Sequence, residues 1–232
     1  MQYTSRAIAL VYFNHKESSI ISTIFTELKG KQNFIVKGVK SKKSKKNLAF
    51  FQPLQLSRIT VSYKRNRDFQ ILNNIELTDG LFFDSFNTNN FVCLFIAEVI
   101  SKTLQENIVD KPLFEYLWNL KKNLTKKSAV DKNYILFFLL TLSGFFGFRP
   151  SVERIENPYF NLELGCFVKT QSKKTVDEKN SNYLKLLLTN KPTVIPNKNR
   201  KKLLNIILNY YKFQNHEIRN LTSHLIIESL RT

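Results

Sequence analysis

The chain has 232 residues, and its 36 lysines and arginines against 18 acidic residues give a net charge of +18. Its 43% hydrophobic content is enough for a packed core, which excludes a wholly disordered, collagen-like or low-complexity chain. The length allows no more than two ordinary domains. Cys93 and Cys166 are too few for a disulfide framework or a four-cysteine zinc site, so we expect a reduced, cytoplasmic protein without a bound metal.

The sequence shows no export signal and no membrane span. Residues 1–6 lack a positive region followed by a long apolar stretch. The most apolar run, residues 134–148, falls short of the roughly 20 residues that cross a bilayer. It therefore predicts a buried core helix, and we expect no membrane among the partners.

The first 80 residues have the pattern of β-structure. β-Branched and apolar runs predict strands at 6–13, 18–26 and 34–39, with a turn at 28–31 and a bulge or bend at Gly38.

The lysine-rich segment 40–47 is too charged to pack, so it predicts a solvated loop. Two further strands are predicted at 51–63, which tolerates Pro53 only near its start or on an edge, and at 69–77, after a turn at 65–68. Five short strands without room for crossover helices predict a small antiparallel barrel or curled sheet.

The hydrophobic period changes to that of helices from about residue 79. It predicts a helix at 86–106, a second helix capped by Asp110, and a very apolar third helix that Asp131 begins and Gly147 ends. Residues 151–175 are predicted to be irregular. Three short helices are predicted to follow, at 181–188, 200–213 and 221–231. The sequence thus predicts an α+β protein with a barrel domain at 1–80 and an all-α domain at 81–232.

The distribution of charge is more informative than its total, because an AT-rich coding sequence alone would enrich lysine. Forty consecutive residues, 28–67, contain no acidic side chain and twelve basic ones. Nucleotide bias adds lysines but does not readily remove acids from one window. The window therefore favours a polyanion-binding surface over a merely solvated basic face.

Catalysis finds little support in the sequence. His15, His216 and His224 are not spaced to form a metal site with a nearby cysteine or carboxylate, and each is expected at the surface or at a helix end. No phosphate-binding loop, dinucleotide fingerprint or nucleophile elbow is present. Cys93 lies on an apolar helical face and is expected in the core. We therefore predict a protein that is not an enzyme and has no cofactor.

Nucleic-acid binding would use lysines as point charges on phosphates and exposed aromatic rings as stacking platforms for bases. The aromatic candidates, each of which is alternatively buried inside the barrel, are Phe34, Phe50, Phe51, Tyr63 and Phe69.

Four segments of the chain carry motifs of a known protein family. Residues 17–54, including Ile35-Val36-Lys37-Gly38-Val39-Lys40-Ser41-Lys42-Lys43-Ser44, are similar to the N-terminal OB-fold domain of the RecO family of DNA repair proteins. Residues 138–150, which end in Gly147-Phe148-Arg149-Pro150, resemble its central helix, and residues 159–167 resemble a Phe-Asp-Leu-x-x-Gly-x-Phe stretch. Residues 210–223 match the usual ending loosely.

The resemblance implies a recombination mediator with an OB-fold barrel. Such proteins bind single- and double-stranded DNA, anneal complementary strands and recognise the acidic C-terminal tail of single-strand-binding protein. With RecR they help load RecA onto coated single strands, and RecF is a further indirect partner. The resemblance assigns phosphate contacts to residues in or beside the family's Lys-Gly-x-x-x-Lys-x-Ser segment, namely Lys37, Lys40, Lys42, Lys43, Lys45 and Lys46. Charge alone adds Lys64, Arg65 and Arg67.

The chain lacks the cysteines of a zinc site that many members of the family carry. Many members carry a four-cysteine zinc site after the central helix, but residues 151–169 hold only Cys166. We therefore predict no zinc. No groove for the partner tail is assigned, although the basic helix ends at 121–132 are a conceivable place. An RNA- or ribosome-binding OB protein and a non-catalytic interaction scaffold stay open as alternatives.

Overall fold

The computed structural model describes residues 1–39, 47–78, 89–126 and 130–223. Packing divides the chain into two compact units. Of the described residues, the first comprises those up to residue 130 together with 222–223, and the second comprises residues 131–221. No helix in the described ranges is both long and apolar enough to cross a membrane.

Five strands close into a barrel in the first unit, which confirms the predicted barrel. They are β1 (Gln2–His15), β2 (Ser19–Thr26), β3 (Gly30–Val36), β4 (Leu56–Ser62) and β5 (Phe69–Leu77), in the order β1-β2-β3-β5-β4. The prediction of a wholly antiparallel sheet was wrong at one pair, because β3 and β5 run parallel. The chain leaves β3 and starts β4 beside β1, so β5 returns next to β3 in the same direction.

The inner face of the barrel carries the core side chains, and the alternation between buried and partly exposed residues is strict along β3. Every second residue of β3 is buried, and the interior is filled by side chains such as Ile24, Phe34, Ile59 and Leu72. Residues 7–10 of β1 and 24–26 of β2 are buried on both faces, whereas the outward positions of β3 alternate with its buried ones and remain partly exposed. This alternation is the period of two that a half-buried strand requires.

The fourth strand begins later than predicted. Residues Leu48–Phe51 form a 3₁₀ turn, capped by the Asn47 side chain, which accepts a hydrogen bond from the backbone N–H of Ala49. Phe51 is completely buried and fills the barrel core. The backbone around Pro53 therefore turns before pairing starts at Leu56.

Two helices, α1 (Asn89–Thr103) and α2 (Lys111–Lys126), belong to the same unit as the barrel. Phe114 of α2 meets Phe25 of β2 edge to face at 5.4 Å. Arg6 of β1 lies over the Phe114 ring and pairs with both Glu27 and Glu115. Hydrogen bonding to Glu27 raises the pKa of Arg6, and the pairing with Glu115 links β1 to α2.

The connector between α1 and α2 pairs with the start of β3. Asn107 donates its backbone N–H to the Lys31 carbonyl at 2.9 Å, and Glu106 forms a parallel bridge with Lys31. The approach is so close that a Cβ on Gly30 would lie 2.0 Å from the Ile108 carbonyl oxygen. Gly30 also has a φ of +69°, so the β2–β3 turn needs glycine on both counts.

The second unit packs around the apolar helix α3 (Tyr134–Phe145). Helices α4 (Glu178–Leu188) and α5 (Asn197–Phe213) lie against it. Tyr211 of α5 is fully buried and donates its hydroxyl to the Leu139 carbonyl at 2.6 Å. The predicted core helix is thereby confirmed.

A short hairpin interrupts the helices, so the prediction of irregular structure at 151–175 was wrong in part. Strands β6 (Tyr159–Asn161) and β7 (Cys166–Val168) pair antiparallel. Buried Phe160 and Phe167 anchor the hairpin, and Asn157 donates its side-chain amide to the Phe167 carbonyl. Two three-residue strands are too short to show a periodic signal in sequence.

The boundary predicted at residue 80 stays a prediction. The division by packing places α1 and α2 with the barrel, whereas the sequence prediction separated strands from helices. The helix predicted at 221–231 lies almost wholly outside the described residues.

Candidate nucleic-acid interface

Four of the nine predicted phosphate-binding residues lie in the described ranges, and all four are exposed. Lys37 follows the end of β3, and Lys64, Arg65 and Arg67 lie in the turn between β4 and β5. The other five, Lys40, Lys42, Lys43, Lys45 and Lys46, fall outside the described residues.

The β4–β5 turn is fixed from beneath by one buried amide. The side chain of Gln70 accepts a hydrogen bond from the Lys64 N–H at 2.9 Å and donates to the carbonyls of Lys64 and Arg67, each at 2.9 Å. All three bonds are to backbone, so the turn keeps its shape independently of the exposed side chains. The three cations are consequently presented by a preorganised turn.

Within the part of the chain that the structure describes, these four exposed cations make no ion pair. They are Lys37, Lys64, Arg65 and Arg67. Lys31 differs, because its ammonium donates to the Ser101 carbonyl at 2.9 Å and burial lowers its pKa. The acid-free window therefore contains cations that make no ion pair with described residues, and it also contains Lys31, whose hydrogen bond stabilises the fold.

Strand register aligns four apolar side chains across the outside of the barrel, and we call them the apolar row: Phe13, Ile21, Ile35 and Ile71. Phe13 pairs with Ile21, Ile21 with Ile35, and Ile35 with Ile71, so the four side chains share the outer face of neighbouring strands. Phe13 is 65% exposed and Ile71 is 41% exposed. Phe69, 40% exposed, lies in the next outward row, paired with Asn33.

Among the described residues, the apolar row lies between Lys37 on one side and the basic β4–β5 turn on the other. Lys37 is four residues beyond Asn33, whereas the β4–β5 turn precedes Phe69, the strand partner of Asn33. The structure therefore does not bring Lys37 next to Arg65 and Arg67. They are separated by at least about 13 Å along the strands, with exposed apolar side chains between them.

The aromatic candidates divide into buried and exposed rings. Phe34 and Phe51 are completely buried in the barrel, the alternative that the sequence left open for each candidate, so neither is a stacking platform. Phe50 and Tyr63 pack partly against the core, and the Lys29 ammonium lies 5.3 Å from the centre of the Tyr63 ring. Phe69 is the candidate that faces outward. Sequence reasoning missed Phe13 and Ile71. The alternation of inward and outward residues within each strand is visible in the sequence, but the register that aligns these two side chains across neighbouring strands is not.

The basic helix end considered for a partner tail is partly buried. Lys121 is enclosed, and its Nζ lies 3.7 Å from the Sγ of Cys93. Burial raises the pKa of the Cys93 thiol, which fits the predicted core position. Lys122 lies with its Nζ 5.9 Å from the centre of the Trp118 ring.

The described residues contain no group of three or more histidine, cysteine or acidic side chains that could hold a metal ion. Cys166 is a free thiol on the hairpin. His216 stacks on Phe146 and Phe148 in the second unit. His224 lies outside the described residues.

A closed five-stranded barrel of this size, with cations on a fixed turn and exposed apolar rings beside them, defines an OB-fold protein whose outer face suits a nucleic-acid strand. Comparison with known families identifies the group. The family model "Recombination protein O N terminal" matches residues 1–81, and "Recombination protein O C terminal" matches residues 88–220. The chain belongs to the RecO family of DNA repair proteins.

Individual relatives agree with this assignment. The chain is 27% identical over 219 residues to the DNA repair protein RecO of Flavobacterium johnsoniae, which covers 91% of both chains. It is 30% identical over 223 residues to that of Azobacteroides pseudotrichonymphae, again covering 91% of each. The RecO protein of Flavobacterium psychrophilum is 24% identical over 222 residues, with 92% of each chain covered. The resemblance predicted from the sequence is thereby confirmed.

Proposed function

We propose that this protein binds single- and double-stranded DNA on its OB barrel, anneals complementary strands, and helps load RecA onto single strands coated by single-strand-binding protein. In this role it acts as a non-catalytic mediator, because holding and releasing strands needs no nucleotide hydrolysis. Its place is the cytoplasm, at the nucleoid.

The observation that carries the proposal is the exposed apolar row between Lys37 and the three cations of the β4–β5 turn, none of which makes an ion pair with a described residue. Bases of an unpaired strand would stack on Phe69 and Phe13, while phosphates would contact Lys37 at one end and Arg65 and Arg67 at the other. Stacking is worth about 1–3 kcal/mol per base and accepts any base. The face therefore suits strands of any sequence, as annealing requires.

Annealing follows from the charge of this face. Two complementary strands repel each other through their phosphates, and a surface with free cations at both ends lowers that repulsion. Lysines and arginines that contact phosphates do not read bases, so the strands keep their base edges available for pairing.

The partners form part of the same proposal. RecR would act with this protein on coated strands, and the acidic C-terminal tail of single-strand-binding protein would bring it to them. RecA would be an indirect partner that receives the strand, and RecF a further indirect one. Charge complementarity supports the tail, because a protein of net charge +18 attracts an acidic peptide.

The test replaces Lys64, Arg65 and Arg67 together with alanine. Binding of a labelled single strand is measured by fluorescence anisotropy over a series of NaCl concentrations, and annealing of complementary strands is measured beside it. The variant should bind more weakly to all sequences, and the log–log salt slope should fall by up to about 2, at about 0.7 for each phosphate that is no longer neutralised. A variant with alanine at Lys42, Lys43, Lys45 and Lys46 should behave likewise.

A control variant replaces Lys169, Lys173 and Lys191, three exposed lysines of the second unit, with alanine. It removes the same charge but should keep most of the salt slope. Equal reductions in both triple variants would show that total charge, not the barrel face, sets affinity. A wild-type protein that neither binds nor anneals DNA would overturn the proposal, and tighter binding of a matched RNA strand would favour an RNA-binding role.

A further inference from the structure

A polar cavity of about 230 Å³ lies at the end of the barrel that carries the β4–β5 turn. Its wall is shared by barrel residues such as Asn33, by Arg65, Arg67 and Asp68 of the turn, and by Glu106 and Asn107 of the α1–α2 connector. The volume is below the roughly 300–1,000 Å³ of sites for drug-sized ligands. It suits a single flat ring better than a whole nucleotide.

The connector residues are held in place and still keep unused hydrogen-bonding atoms. Asn33 donates its side-chain amide to one Glu106 oxygen at 2.7 Å, and Gln32 donates to the Asn107 side-chain carbonyl at 3.0 Å. The second Glu106 oxygen and the Asn107 amide nitrogen have no partner among the described residues. A fixed acceptor and a fixed donor thus stand on adjacent residues of the cavity wall.

The position of Glu106 is informative because a carboxylate repels phosphate. Lys31 interacts electrostatically with Glu106, but the Glu106 oxygen that Asn33 leaves unused faces a cavity that also holds Asp68. A donor on a base would offset the cost of bringing phosphates near these carboxylates. Exocyclic amines of bases are such donors, and cytosine N4 is a recognised partner for Glu. The ring N–H of thymine is a poorer partner, because a carbonyl oxygen on each side repels the approaching carboxylate.

We propose that this cavity takes one unpaired, amine-bearing nucleobase from a strand lying on the barrel face, with Glu106 accepting from the exocyclic amine and Asn107 donating to the neighbouring ring nitrogen or carbonyl. Arg65 and Arg67 hold the flanking phosphates. The base edges of a duplex are already paired, so the cavity serves single strands and unpaired ends. This inference rests on the proposed DNA binding and adds a preference at one base position, while the stacking face with Phe13 and Phe69 accepts any base along the rest of the strand.

The test compares Glu106→Gln with the wild-type protein on oligo-dC and oligo-dT of equal length. Glutamine keeps an acceptor for Asn33 but places a donor where the base amine would donate. The ratio of dC to dT affinity should therefore fall by about tenfold. Removal of one negative charge alone would instead strengthen binding of both strands by the same factor, so the two explanations predict different ratios.

Glu76→Gln is the matched control. Glu76 is an exposed residue of β5, also accepts a hydrogen bond from an asparagine amide, and does not line the cavity. It should leave the dC to dT ratio unchanged. If Glu106→Gln and Glu76→Gln give the same ratio, the base site is overturned while the proposed DNA binding stands. If the wild-type protein binds neither strand, DNA binding itself fails.

A measurement on the wild-type protein covers the case in which Glu106→Gln does not fold. A strand of dT with one central 2-aminopurine carries a single amine-bearing base, which should enter the cavity and leave the stack. Its fluorescence should rise on binding. Unchanged or quenched fluorescence, as expected for a base stacked on Phe69, would overturn the site.

Discussion

The carboxylate of Glu98, on α1, ties a distant segment of the chain to the barrel-containing unit. It is buried and accepts hydrogen bonds from the backbone N–H groups of Thr222 at 3.0 Å and Ser223 at 2.8 Å, and it pairs with Lys102 at 2.9 Å. Burial alone would raise its pKa, but the bonds from Ser223, Lys102 and Thr222 outweigh burial and lower the pKa to about 2.

Because the folded-state pKa of Glu98 lies below its ordinary value of 4.5, its contribution to stability is present above about pH 4.5 and disappears as the pH falls towards about 2. Glu98→Gln should lower the free energy of unfolding at neutral pH by about 1–3 kcal/mol. Urea unfolding at several pH values should show the difference from wild type shrinking in acid. A difference that is constant with pH would contradict this role, and Glu76→Gln is the exposed control.

At the scale of elements, the β4–β5 turn illustrates how a buried side chain shapes an exposed surface. Gln70 supports the turn through three hydrogen bonds to backbone, while Lys64, Arg65 and Arg67 keep their charges outside ion pairs with described residues. The sequence predicted a turn and its charges. It did not predict that the residue after Phe69 would hold the turn, because that depends on which face of β5 is inside.

Gln70→Leu should remove the three hydrogen bonds and leave the backbone groups of Lys64 and Arg67 without their partner, at a cost of about 1–3 kcal/mol in unfolding free energy. DNA affinity should fall because the turn is less ordered, while the salt slope stays the same because the charge is unchanged. Chemical denaturation and salt-dependent anisotropy measure the two effects. Asn73→Leu, at an exposed position of β5, should change stability by less than about 0.5 kcal/mol. A reduced slope in Gln70→Leu would contradict this account.

At the scale of the whole molecule, charge is concentrated on a short part of the chain. Residues 1–80 hold 14 basic and 5 acidic side chains, a net of +9, and residues 81–232 hold 22 and 13, again +9. Equal excess charge on about half the length raises the electrostatic self-repulsion of the barrel part. DNA would relieve that repulsion, and so would salt.

Salt should therefore act in opposite directions on folding and on DNA binding. Raising NaCl from about 0.01 M to about 0.15 M shortens the Debye length from about 30 Å to about 8 Å. The melting temperature should rise, by about 2–4 °C for each ~1 kcal/mol of repulsion that is screened. Replacement of Lys64, Arg65 and Arg67 with glutamine should reduce that rise. A melting temperature that falls with salt would show that ion pairs, such as that of Arg6 with Glu27, outweigh the repulsion.

The sequence by itself determined the barrel, the core helix and the acid-free basic window, because local periodicity, turn residues and composition encode these features, and its resemblance to known proteins determined the family. It did not determine the parallel closure of β3 on β5, the burial of Phe34 and Phe51, or the β6–β7 hairpin. Only the tertiary structure aligned Phe13 with Ile71 and placed Glu106 beside Asn33. Both depend on strand register and on close approach at Gly30, which are contacts between residues far apart in the chain.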